Sequence, residues 1–212
     1  MSSKNVVAIC SPKLMSTFKS FSELMDLNYK VFELRDDLRE ADTLVVDEEC
    51  FELIRRSYEI SRVRVVMVSE DNILARLLEL VGVSKVEALV VGVDPGDTTV
   101  NYVIFADNVL LGYGSLKKFS DLAEVLKNIR NSLHPARVVI KVGVPPARFW
   151  ESRMSEVLEM VEEGRYTLIL VDESSTTDAC PTAYIGKKDL KNPDLRACIN
   201  IALREGLLRI TY

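Results

Sequence analysis

The chain has 212 residues, with 27 lysines and arginines against 32 aspartates and glutamates, a single histidine, and a net charge of −5. Hydrophobic residues make up 48% and charged residues 28%, which excludes a disordered or collagen-like chain and leaves one large domain or two small ones. The negative balance excludes a global positive field that holds nucleic acid non-specifically, so any such binding has to be local.

Met1 to Lys4 leads straight into a strand-like run, Val6 to Cys10, without the basic start, long apolar stretch and small-residue cleavage site of a signal peptide. The longest apolar runs, such as Ala88 to Val93, fall far short of the roughly 20 residues that cross a bilayer. A soluble, cytoplasmic protein without a membrane partner is the expectation. From Asn5 to about Gly82 short β-branched runs alternate with helical ones: VVAIC, Pro12 to Leu27, KVFEL, TLVV, Glu48 to Ile60, VRVVMV and Asp71 to Val81. That grammar predicts βα units on a largely parallel sheet, a small Rossmann-like α/β domain over residues 1–84. Asp47-Glu48-Glu49 suits a helix N-terminus, and Asp71 or Ser69 is the expected cap of the helix that follows. No glycine-rich phosphate loop is present in this half.

Gly82-Val83-Ser84-Lys85 is the expected boundary, because a glycine ends the helix and polar residues follow. Glu87 to Val93 reads as a central strand buried on both faces. Val100 to Phe105 and Val109 to Gly114 flank an Asp107-Asn108 turn and form a hairpin. A helix (Ser120 to Ser132), a strand (Arg137 to Val144), a helix (Trp150 to Glu163), a strand (Thr167 to Val171) and a final helix (Asp194 to Glu205) follow. The order βββαβαβα predicts a mixed five-stranded sheet with helices on both sides, over residues 85–212.

Cys10, Cys50, Cys180 and Cys198 contain no C-x-x-C pair, and His134 completes no Cys/His zinc set, so the cysteines read as buried thiols. The absence of glutamine beside plentiful Lys, Arg and Glu is a bias of hyperthermophile proteins, in which intracellular disulfides do occur.

Asp94 ends an otherwise apolar strand, where an ionised carboxylate needs a cation or a set of donors. Asp172 and Glu173 end the later strand, and Asp194 opens the last helix, where an Asp also serves as an ordinary cap. Carboxylates that converge repel one another unless a divalent cation neutralises them, and hard oxygen ligands select Mg²⁺ or Mn²⁺.

The stretch VVGVDPGDTTVNYVIFADNVLLGYGSL resembles the opening of RuvC-type Holliday junction resolvases, whose first strand reads G-[IV]-D-P-G before a G-Y-rich hairpin. IKVGVPP, LVDESSTT and PDLRACINIAL are similar to successive blocks of the YqgF family, in the same ribonuclease H-like superfamily. The resemblance covers Glu87 to Glu205. It implies a ribonuclease H-like domain with Asp94, Glu173 and Asp194 as catalytic acids, Asp172 as the adjacent alternative ligand, and a Mg²⁺- or Mn²⁺-dependent endonuclease acting on structured DNA or RNA, with a homodimer as in the resolvases. The chain departs from the pattern at Lys141-Val142-Gly143, where those enzymes carry a Glu; at Ala197, where they carry a further acid; and at Asp97-Thr98 and Ser174, where basic groups are usual. Lys187, Lys188, Lys191 and Arg196 are the candidate phosphate contacts. Two further readings compete. One is a catalytically silent ribonuclease H-like scaffold that binds a protein partner through its first domain. The other is an actin-like nucleotide-binding protein, since D-P-G-D-T-T also resembles the first phosphate motif of that class.

Overall fold

The computed structural model describes residues 4–144, 150–172 and 192–211, and the chain divides into two compact units, Met1–Ser84 and Lys85–Tyr212. In the first unit the order is β1 (Asn5–Ala8), α1 (Pro12–Leu24), β2 (Lys30–Val31), β3 (Thr43–Val46), α2 (Glu48–Ile54), β4 (Arg64–Met67) and α3 (Ile73–Leu80). The strands form a parallel sheet ordered β2-β1-β3-β4. Period-two alternation sorts their side chains onto two faces. Val7, Val45 and Val66 pack with Leu14 and Phe18 of α1 and Ile73 and Leu77 of α3. Val6, Ala8, Leu44 and Val46 pack with Ile54 of α2 and with Leu38. The central strands β1 and β3 are therefore buried on both sides, which explains their unbroken apolar runs.

In the first unit one helix start differs from expectation. Asn72, not Asp71 or Ser69, occupies the cap position of α3, and its Oδ1 accepts from the Ser69 backbone N–H at 2.7 Å. Asp47 caps α2 as its sequence context predicts, and it does more. Its Oδ1 accepts from Cys50 N–H at 3.1 Å, while Oδ2 accepts from Cys10 N–H at 3.0 Å and Ser11 N–H at 2.9 Å, so one buried carboxylate joins β1, α1 and α2. Asp47→Ala leaves these donors without their acceptor and is expected to cost about 2 kcal/mol, the upper end for a lost helix cap. Urea denaturation reads this, with Ser11→Ala, which loses one 3.3 Å bond, as the milder comparison.

The thiol reading is corrected for two of the cysteines. Cys10 and Cys50 form a disulfide across 40 residues, with Cα atoms 5.4 Å apart. β1 and β3 are parallel neighbours, so the segments that leave them start at the same edge of the sheet. Cys198 remains free and buried.

The second unit contains β5 (Ala88–Pro95), β6 (Val100–Ala106), β7 (Val109–Leu116), α4 (Phe119–Leu133), β8 (Arg137–Val144), α5 (Trp150–Gly164), β9 (Thr167–Asp172), α6 (Pro193–Leu203) and β10 (Leu208–Thr211). Its mixed sheet runs β10-β9-β8-β5-β6-β7. The five expected strands are present in the expected mixed order, with β5 between its hairpin partner and the first parallel return. The sheet has six strands rather than five, because β10 turns back after α6 and pairs antiparallel with β9. Asp107 makes the hairpin turn at φ 50°, a left-handed conformation that Asp tolerates, and its carboxylate accepts from Glu87 N–H at 3.2 Å and Ala88 N–H at 2.9 Å. No helix among the described residues is long and apolar enough to cross a membrane.

Candidate functional site

The close approach of α6 to the sheet places the site. A Cβ on Gly92 would collide with the Cys198 carbonyl oxygen and lie 2.8 Å from the Ala202 Cβ, so only glycine lets the helix lie this near β5. At its far end α6 is tied down by Lys141, whose Nζ donates to the Arg204 carbonyl at 2.6 Å, and by Arg204, whose Nη1 donates to the Asp172 carbonyl at 3.1 Å. Burial pushes the Lys141 ammonium below its ordinary value. Lys141 thus holds the helix C-terminus.

Asp94 lies two residues beyond Gly92 on the same strand, so its side chain shares the α6 face. It is half-buried at the carboxyl end of β5. Burial is the main cause that raises its pKa, and the negative charge of Asp194 adds to it. The buried Cys198 thiol is also pushed up, first by burial and then by the Asp94 charge, with Asp194 contributing further. Asp94 and Asp194 therefore lie near enough for the charge of one to act on the other. Asp194 is exposed in the first turn of α6. The cap itself is Asn192, whose Oδ1 accepts from Asp194 N–H at 3.0 Å and Leu195 N–H at 3.4 Å, so the Asp194 carboxylate is not spent on capping. Among the described residues, no lysine or arginine forms an ion pair with Asp94 or Asp194.

The other expected acids do not join them in the described structure. β8 lies between β5 and β9, so Asp172 is two strand spacings, roughly 10 Å, from the Asp94 strand. Ladder pairing sets Val171, not Asp172, level with Asp94, and alternation turns Asp172 to the opposite face. Glu173, Lys187, Lys188 and Lys191 lie outside the described residues. Arg196 is half-buried, and its Nε is buried without a hydrogen-bond partner among the described residues, unlike the open surface contact that its sequence position suggests. Arg153 donates to the Asp97 carbonyl at 2.9 Å and pins the turn that follows Asp94.

Sequence reasoning missed Asn101 and Ser115. Register pairs Asp94 with Asn101, and Asn101 with Ser115, so a polar row runs across three strands on the α6 face. The signal was available in the short Pro95-to-Val100 connection, which sets Asp94 opposite Asn101.

No known protein family and no curated protein matches the chain. Among solved structures, Argonaute of Marinitoga piezophila in complex with a 5′-OH guide RNA aligns over 82% of this chain and 40% of its own, at 13% identity and a TM-score of 0.31. The chain spans less than half the length of that protein.

Proposed function

We propose that the second unit binds nucleic acid and hydrolyses phosphodiesters with a divalent cation held by Asp94 and Asp194. The observation that carries this reading is that two carboxylates from separate elements, the end of β5 and the start of α6, lie near enough for the charge of one to act on the other, and that no lysine or arginine of the described residues pairs with either. The donor set fits: two hard carboxylate oxygens, with the Asn101 amide beside them, suit Mg²⁺ or Mn²⁺. Such an ion, when bound, activates water and steadies the leaving oxygen of a phosphodiester. Asp94 holds its carboxylate at the half-buried end of the central strand β5. Asp194 supplies the second oxygen from the rim, and Arg153 keeps the neighbouring turn in place. Glu173 completes the expected catalytic set, and Lys187, Lys188, Lys191 and Arg196 are the proposed phosphate contacts. The first unit is read as a separate small domain.

The test is cleavage of branched and single-stranded DNA and RNA with Mn²⁺ or Mg²⁺. Activity that needs the ion and falls about 100-fold in Asp194→Asn, the scale of a lost charged ligand of about 3 kcal/mol, supports the proposal. Cleavage indifferent to chelators and to that substitution overturns it. No Mn²⁺ binding, together with a stable protein complex, selects the silent scaffold instead.

A further inference from the structure

A second cluster of ligating side chains sits at the carboxyl edge of the first unit's sheet. In the order β2-β1-β3-β4 the direction of the crossovers reverses between β1 and β3, and open parallel sheets form their ligand crevice beyond the strand ends at that switch point. Cys10 follows β1, Asp47 follows β3, and Cys50 lies in α2. Both sulfurs and an Asp47 carboxylate oxygen lie within 4.8 Å of one another, and among the described residues these are the only three metal-ligating side chains so grouped.

We propose that the Cys10–Cys50 disulfide is the oxidised form of a metal site, and that the reduced pair with Asp47 holds one zinc-like divalent cation. Two soft sulfurs and one carboxylate suit such an ion and not Mg²⁺. Asp47 is already oriented: three backbone donors fix it, and its Oδ1 accepts only one of them, from Cys50, which leaves a lone pair on that oxygen. A tetrahedron with Zn–S bonds of about 2.3 Å sets its sulfurs roughly 3.8 Å apart. Cysteines whose Cα atoms are 5.4 Å apart reach that spacing by side-chain rotation. Both cysteines are partly exposed, so water would be able to fill the fourth position.

In the reduction, a dithiol donates two electrons and two protons to the Cys10 and Cys50 sulfurs and leaves as its cyclic disulfide. Cation binding then releases both thiol protons to solvent. The S–S bond consumes both sulfur ligands, so disulfide and cation exclude each other and the redox state of the chain sets occupancy.

The full chain, reduced with dithiothreitol and freed of it anaerobically, is titrated with Co²⁺ as the probe. One Co²⁺ per chain, with a sulfur-to-cobalt charge-transfer band displaced by Zn²⁺, is expected. The band should be absent from the oxidised chain, unchanged in Cys180→Ser, and weakened about tenfold or more in Cys10→Ser and in Cys50→Ser. Thermal melting confirms that each variant is folded, and the comparison of oxidised with reduced wild type needs no variant at all. A reduced chain without the band overturns the proposal. So does a band that persists in the oxidised chain or keeps its full strength in Cys10→Ser or Cys50→Ser, or one that disappears in Cys180→Ser.

Discussion

Gly92→Val is expected to destabilise the second unit by about 4 kcal/mol, beyond the usual 1–3 kcal/mol of an overpacked core site. The obstacles are not flexible side-chain tips. A Cβ would overlap the Cys198 carbonyl oxygen and lie 2.9 Å from the Ala202 backbone N, so the helix itself has to leave the sheet. When α6 moves, Asp194 moves with it, and the Asp94 corner is lost together with the stability. Gly112→Ala is the matched comparison, since a Cβ there meets nothing within 4 Å. It is expected to be neutral or to stabilise by about 0.5 kcal/mol, because alanine restricts the unfolded chain more than glycine does. Urea denaturation of both variants reads the difference. Equal small effects would show that α6 does not depend on the Gly92 approach.

The same contact shows what was legible in the sequence. Strands and helices of both units follow from apolar periodicity, because burial on two faces leaves unbroken apolar runs such as TLVV in β3. Pairing between distant segments leaves no such local mark. KVFEL alternates like a strand, yet only Lys30–Val31 pair and Leu34 is 83% exposed, since β1 ends at Ala8, level with Phe32. β10 was invisible for the converse reason: its residues gain strand structure only from β9, across the whole of α6. The disulfide depends on β1 and β3 being neighbours, a fact of topology and not of spacing. At the site, the G-V-D-P-G stretch located Asp94 and the last helix located Asp194. It was the ladder register that removed Asp172 from their company and added Asn101. The role of Asn192 as cap is what separates Asp194 from the ordinary helix-start aspartate its position suggested.

Asp94→Asn is expected to move stability and ion affinity in opposite directions. The folded-state pKa of Asp94 lies above the ordinary carboxylate value, through burial and then through the Asp194 charge. The native chain therefore holds this proton more tightly than the unfolded chain, and stability falls as pH rises from about 3.9 through the raised pKa. Above that window the ion-free protein carries the full cost of an ionised Asp94. Asparagine keeps the shape, removes the charge, and is expected to raise the melting temperature at neutral pH by about 2–4 °C for each 1 kcal/mol recovered. The same change deletes one of two charged ligands and lowers Mn²⁺ affinity about 100-fold, the equivalent of about 3 kcal/mol. An ion at 100 times its dissociation constant stabilises the wild type by about 2.7 kcal/mol and has little effect on the variant. The two melting curves should therefore exchange order: the variant is the more stable without Mn²⁺ and the less stable with it. A variant that melts earlier in both conditions means that Asp94 is a structural carboxylate satisfied by the fold. One that melts later but still responds fully to Mn²⁺ places the ion elsewhere. Only the exchange of order identifies a carboxylate kept at a cost to the fold because an ion needs it.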